Sequence, residues 1–319
     1  VRGHLVSWNQ FAIIFGMLII YFVNYGISRA GSGDAWLNTI GWRYMFLSGA
    51  VPAVLFLVLL FFVPETPRYL MLKGNEPGAR AVLNRLVTPE ESEKEIAEIR
   101  ASLAEHHSGK LFSFGVLLIF IGIMLSVFQQ FVGINVVLYY ASDIFKGMGM
   151  TTNVSLFETI IVGAVNLIFT VVAILTVDKF GRKPLQIIGA LVMAVSMITL
   201  GTAFFLNAKG IVALLAMLVY TAGFAVSWGP VTWVLLSEIF PNQIRGKAMA
   251  VAVAAQWVAN YLVSCSFPIL DKNAALVANF HHGFAYWIYG VMGVLAALFV
   301  WKFVPETKGR SLEQMEKLW

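Results

Sequence analysis

Eight stretches of this chain, roughly residues 4–24, 43–63, 112–146, 156–177, 185–206, 211–236, 248–270 and 284–304, are each long and apolar enough to cross a bilayer core as a helix. A backbone amide finds no partner in lipid, so such stretches must close their hydrogen bonds internally. The fold class this dictates is an all-α membrane protein. The third stretch carries an interruption, and residues 64–111 form the one long polar segment. Composition agrees with that picture. Of 319 residues, 59% are hydrophobic and 12% charged, about half the charge of an ordinary soluble domain. That deficit excludes disorder, nucleic-acid binding and a water-soluble enzyme. A single cysteine, Cys265, excludes a disulfide framework and a cysteine-based metal site.

The loops between the stretches fall into two sets with unequal basic charge. Seventeen of the 22 Lys and Arg residues lie on one side, among them Arg68, Arg80, Lys179, Arg182, Lys183, Arg245, Lys247, Lys302 and Lys308. The positive-inside rule makes that side cytoplasmic. The expected location is a multi-pass protein of the cytoplasmic (inner) membrane with its C-terminus in the cytoplasm. The net charge of +5 is then a topology signal. Within 64–111, Asn75 is placed to cap a helix running to Val87, with Val82, Leu83 and Leu86 on its apolar face. Thr88-Pro-Glu-Glu91 is a capping box with proline at the first helical position. It opens a helix whose Ile96, Ile99 and Leu103 recur at helical spacing.

Two markers repeat along the chain. Val-Pro-Glu-Thr closes a stretch at 63–66 and again at 304–307, and Arg-Gly opens one at 2–3 and again at 245–246. Both separations are close to 240 residues, which predicts a unit of six helices. Residues 1–63 are then expected to be the last two helices of one half, and 64–111 a cytoplasmic helical linker. Residues 112–304 would form the complete second half, and 305–319 a cytoplasmic tail. A whole protein on this plan has twelve spans, four of them ahead of this chain. In carriers of two related halves the substrate lies near mid-membrane between them.

Functional residues are therefore sought among polar side chains inside the apolar stretches. An ionisable group at the bilayer centre is costly and usually functional, yet no stretch has one at its middle, and Glu158 and Glu238 lie near ends. No metalloprotease, serine-hydrolase or paired-acid motif occurs, so no catalytic residue, metal or cofactor is expected. What the stretches contain is amides and indoles: Gln10, Gln129, Gln130, Asn135, Asn166, Trp233, Gln256 and Trp257, with Trp228 nearby. An amide both donates and accepts, which suits a hydroxyl, and an indole face suits the C–H face of a sugar ring. This set describes a site for a neutral polyol; interhelical hydrogen bonding is the alternative for any single amide. Gln130 and Asn135 are about 140° apart on a regular helix. Gly133 falls between them, where a break could turn both toward one cavity.

Several motifs together resemble the sugar porters of the major facilitator superfamily. PETPR at 64–68 and PETKGR at 305–310 are similar to that family's signatures after spans six and twelve, and DKFGRKP at 178–184 to its loop between spans eight and nine. RGHLVSWNQ, QQFVGINVVLYYA and SWGPVTWVLLSEIFPNQIRGKA resemble its patterns in spans five, seven and ten. Phe128–Tyr140 and Ile160–Asn166 are most like its bacterial D-xylose–proton symporters. The resemblance implies sugar contacts at Gln10, Gln129, Gln130, Asn135, Asn166, Gly229, Trp233, Gln256 and Trp257, with Tyr139 as a gate. It also implies a cytoplasmic charge network of Glu65, Arg68, Asp178, Arg182, Glu238, Arg245 and Glu306. The implied partners are a monosaccharide, protons and the lipid bilayer. Two positions depart from the symporter pattern: Gly49 stands in place of an acid and Met17 in place of a Gln. The proton-binding Asp and its Arg belong to spans one and four, outside this sequence, so proton coupling rests on the resemblance alone. A hexose facilitator is the alternative within the family; a truncated, inactive remnant and a membrane sugar sensor are the alternatives outside it.

Overall fold

The computed structural model describes residues 2–31, 33–104, 111–208, 210–241, 243–309 and 315, with the side chains of 2–9, 33, 102, 104 and 178 outside that description. Among the described residues the secondary structure is helical, and eight segments are long and apolar enough to cross a membrane. In chain order the helices are α1 (Arg2–Ala30), α2 (Gly33–Trp36), a π-helical turn (Leu37–Gly41), α3 (Trp42–Ser48) and α4 (Ala50–Leu60). Next come α5 (Pro67–Leu72), α6 (Glu76–Leu83), α7 (Pro89–Ala104), α8 (Val116–Phe131), α9 (Ile134–Tyr139) and α10 (Ala141–Gly147). The chain continues with α11 (Thr152–Phe180), α12 (Arg182–Phe205), α13 (Ile211–Val226), α14 (Trp228–Ile239), α15 (Arg245–Lys272), α16 (Ala274–Phe280) and α17 (Phe284–Phe303).

The chain divides into two compact units, Val1–Gly41 with Leu111–Trp319, and Trp42–Lys110. In the larger unit small residues set the helix spacing. A Cβ on Gly290 would meet the Ala194 carbonyl at 3.2 Å, and one on Gly293 would meet the Ala190 carbonyl at 3.1 Å, so α12 and α17 touch nearly backbone to backbone. Such contacts hold membrane helices together by dispersion where lipid supplies no hydrophobic drive. The same device docks α1 on α11. Tyr21 and Leu18 lie over Gly163, the Tyr25 and Phe157 rings are 5.9 Å apart, and the Tyr21 hydroxyl donates to the Leu138 carbonyl at 3.1 Å.

Two spans of the larger unit are broken. The third is interrupted after α8, where Gly133 adopts φ +92°, and again at Tyr140. The sixth breaks at Ser227, between α13 and α14. Pro230 has no N–H to bond the Val226 carbonyl, so the turn before it opens.

In the smaller unit, α4 buries none of its side chains. Thr66 caps α5, with its hydroxyl accepting from Tyr69 N at 3.3 Å and Pro67 following it. Asn75 caps α6 through Gly78 N at 3.0 Å, and the Thr88–Glu91 box closes reciprocally at 3.2 and 3.4 Å. Ala79, Leu83 and Ile96 are buried. Leu86 is not on that face. Regular α6 ends at Leu83, so the expected continuation to Val87 turns away and Leu86 stands exposed. Arg80 and Arg100 reach Glu76 at 3.3 and 2.6 Å, and Arg80 reaches Glu93 at 2.7 Å. These are exposed pairs that contribute about 0–1 kcal/mol each.

Candidate sugar site

The break at Gly133 rotates the chain between α8 and α9. As a result the Asn135 amide donates to Gln130 Oε1 at 2.6 Å, although a regular helix would hold the two on different faces. Gly133 is required twice over. Its φ of +92° belongs to the region glycine favours, and a Cβ there would stand 2.8 Å from the Tyr289 ring. Gln130 is buried and Asn135 half-buried.

Gln129 faces the second break. Its Nε2 donates to the Trp228 carbonyl at 2.9 Å and, more weakly, to the Gly229 carbonyl at 3.4 Å. Both donor hydrogens are thus directed at backbone, and Oε1 is buried without a partner among the described residues. Gln129 thus presents an unpaired acceptor. Oε1 of Gln256 on α15 and Oδ1 of Asn166 on α11 are likewise buried and meet no donor among the described residues. A buried acceptor left unpaired is costly. Hydroxyl donors would satisfy these amide oxygens; Asn24 Oδ1 and Gln186 Oε1 are in the same condition.

The structure joins Gln129 with Gly229, and Gln130 with Asn135. It packs α8 against α9, α14, α15 and α17, and α1 against α11 and α14, so the helices that carry the site residues adjoin one another. Gln10 on α1 and Trp233 on α14 are half-buried. No described hydrogen bond ties Gln10, Asn166, Trp233 or Gln256 to the Gln129–Gln130 cluster. Trp257 is 62% exposed and Tyr139 56% exposed. Trp228 is fully buried, and its indole donates to the Gln186 carbonyl at 2.9 Å, so it is a strut and no platform for a ring. Gln186 itself, with Nε2 on Thr232 Oγ1 at 2.9 Å, escaped the sequence reading. Its signal is weak: a polar residue at the edge of an apolar stretch, one turn after Arg182.

At the end of the bundle that carries α12's first turn, the charged residues converge on two carboxylates. Glu306 accepts from the backbone N–H groups of Arg182 and Lys183, both at 3.0 Å, capping α12 from a distant segment. It also accepts from Thr307 N at 3.0 Å and Lys308 N at 2.8 Å. Glu238 pairs with Arg182 Nη2 at 3.0 Å and accepts from the Thr307 hydroxyl at 2.5 Å. Thr307 and Lys308, whose Nζ donates to the Lys179 carbonyl at 2.6 Å, belong to this knot although the sequence reading did not count them in the charge network. Arg245 turns its guanidinium to the Phe240 carbonyl, at 3.1 and 3.2 Å. Glu65 and Arg68 lie exposed in the smaller unit, and the Asp178 side chain is outside the described residues. Among the described residues no group of three His, Cys, Asp or Glu side chains could hold a metal ion.

Comparison with known proteins adds independent evidence. A family model described as "Sugar (and other) transporter" matches residues 1–319. The D-xylose-proton symporter of Escherichia coli (strain K12) is 63% identical over 321 residues, an alignment covering 100% of this chain and 65% of that protein. The chain thus spans just under two thirds of that relative. The glucose facilitated diffusion protein of Zymomonas mobilis is 43% identical over 321 residues, covering 100% of this chain and 68% of its own. The inward-open structure of the xylose transporter from E. coli superposes with a TM-score of 0.85 at 61% identity, covering 100% of this chain and 66% of that one. With its eight apolar helices, its two broken spans and a sugar-transporter match over its whole length, the chain belongs to the sugar transporter family of the major facilitator superfamily.

Proposed function

We propose that this chain is part of a secondary carrier that moves a neutral monosaccharide, D-xylose first, across the cytoplasmic membrane together with a proton. Residues 1–63 supply the last two helices of the first half, 64–111 a cytoplasmic linker, 112–304 the second half and 305–319 the tail. The end bearing Arg182 and Glu238 faces the cytoplasm, by its excess of Lys and Arg. No covalent chemistry is involved.

The observation that carries this reading is the charge-free amide cluster at the Gly133 break. Gln130 and Asn135 are presented as a bonded pair, while Gln129 offers a lone acceptor beside them. Gln256, Asn166 and Gln10 supply further amides, and Trp233 and Trp257 pack against the ring with Gly229 leaving it room. Tyr139 gates the outer side. The Arg182–Glu238 ion pair and the Glu306 carboxylate on the α12 N-terminus, with Asp178, Arg245, Glu65 and Arg68 as further members of a cytoplasmic charge network, hold one state of the carrier and release in the other. The D-xylose assignment and the proton come from the symporter to which the chain is 63% identical. Facilitated diffusion of a hexose is the second reading, supported by the 43% identity to the glucose facilitated diffusion protein of Zymomonas mobilis.

Titration calorimetry with D-xylose and D-glucose tests the site. D-Xylose binding that weakens in Gln130→Ala and Gln256→Ala, with folding intact, supports it. Unchanged affinity in both variants would reduce the glutamines to interhelical struts. In a completed carrier, accumulation that collapses with the proton gradient separates symport from facilitated diffusion.

A further inference from the structure

A hydrogen-bonded line runs from Gln129 to Gln186, and the helices α12 and α14 carry it on to the charged end of the bundle. Gln129 Nε2 donates to the Trp228 carbonyl at 2.9 Å, and the Thr232 hydroxyl donates to that same oxygen at 2.8 Å. The Thr232 oxygen then accepts from Gln186 Nε2 at 2.9 Å, and the Trp228 indole donates back to the Gln186 carbonyl at 2.9 Å. Arg182 precedes Gln186 by four residues on α12 and reaches Glu238, six residues beyond Thr232 on α14, at 3.0 Å. Helices α12 and α14 are therefore joined by two side-chain rungs, Gln186–Thr232 and Arg182–Glu238, and by the Trp228 indole on the Gln186 carbonyl. The upper rung is fastened to Gln129. All four residues of the upper part, Gln129, Gln186, Trp228 and Thr232, are buried.

We infer that Gln186 and Thr232 are positioning residues that transmit occupancy of Gln129 to the Arg182–Glu238 pair. The inference rests on the sugar-site reading above. A threonine hydroxyl has one hydrogen. Thr232 spends it on Trp228, a back-bond typical of threonine within helices, which leaves its oxygen to receive the Gln186 amide. A hydroxyl donating to Gln129 Oε1 turns the amide plane and changes its grip on the Trp228 carbonyl, the acceptor it shares with Thr232. Helices are stiff, so a shift of the Gln186–Thr232 rung tilts α14 on α12 and alters the Arg182–Glu238 rung one turn away. Coupling of this kind requires a physical element that both sites bias. The two-runged α12–α14 pair is that element.

The test is a double-mutant cycle on the melting temperature of this chain in detergent, between Gln129→Ala and Glu238→Gln. These residues share no contact, and distant independent sites add. The expected result is a departure from additivity of more than about 2 °C in the parent chain. The departure persists in Thr232→Ser, which keeps the hydroxyl, and vanishes in Thr232→Val and in Gln186→Met. A second readout is hydrogen exchange on addition of D-xylose. Altered exchange over 182–186 and 232–238 is expected in the parent and in Thr232→Ser. It should be lost in Thr232→Val while the D-xylose Kd stays within about threefold, well under the tenfold that 1.4 kcal/mol represents. Additive melting shifts in the parent, or coupling that survives in both Thr232→Val and Gln186→Met, would overturn the inference. Failure of the chain to bind D-xylose would count against the sugar site instead, and the melting cycle would still decide the coupling.

Discussion

Single residues decide the chemistry of the proposed site. Loss of a buried partner for a hydroxyl costs about 1–3 kcal/mol. Gln130→Ala and Gln256→Ala should each weaken D-xylose binding by roughly 5- to 150-fold, since 1.4 kcal/mol is tenfold, and calorimetry would read it. The site holds no charge, so the remaining affinity should keep the salt dependence of the parent. Gly133→Ala faces two separate penalties, the left-handed backbone and the Tyr289 ring 2.8 Å from the new Cβ. Its melting temperature should fall, and Tyr289→Leu should restore only the part that comes from the ring. That an amide pair flanked Gly133 was legible in the sequence. That Gln129 would spend both hydrogens on Trp228 and Gly229 was not, because the carbonyls that take them come from a break about 100 residues away.

Helix ends and helix seams govern how elements hold together. The α12 N-terminus, after Gly181 and before Pro184, has no side-chain cap of its own, and the Glu306 carboxylate takes that role from beyond α17. A capping acceptor at a helix start contributes about 0.5–2 kcal/mol. Glu306→Ala should therefore lower the melting temperature and raise exchange in the first turn of α12, whereas Glu306→Gln, which keeps an acceptor, should do less. Arg182→Ala or Glu238→Ala in a completed carrier should change transport rate far more than equilibrium sugar binding, as uptake and calorimetry would show together. The pair lies at the end of the bundle and not in the amide cluster. Local caps such as Asn75 and the Thr88–Glu91 box were legible because donor and acceptor are three residues apart. The Glu306 cap was not, because its partners are more than 120 residues away.

The arrangement of whole helices sets what this chain can do alone. Alternating access requires two halves moving about one site, so the 319-residue chain by itself should give no saturable, stereoselective D-xylose uptake into liposomes, whatever its binding. Uptake that saturates and discriminates epimers would refute the two-half reading. The number of spans and the position of the polar segment follow from hydropathy and period, which the bilayer imposes on sequence directly: a helix must be about 20 apolar residues long whatever it packs against. Those properties belonged to the sequence by itself, as did the amide inventory of the spans and the family motifs. The tertiary structure alone decided that Trp228 is a strut, that Gln186 and Thr307 join the polar networks, and that Trp257 and Tyr139 are exposed. The physical reason is that an apolar span looks alike on all its faces in sequence. Which face meets lipid and which meets another helix is settled by close contacts, such as Gly293 on Ala190, between residues about 100 positions apart.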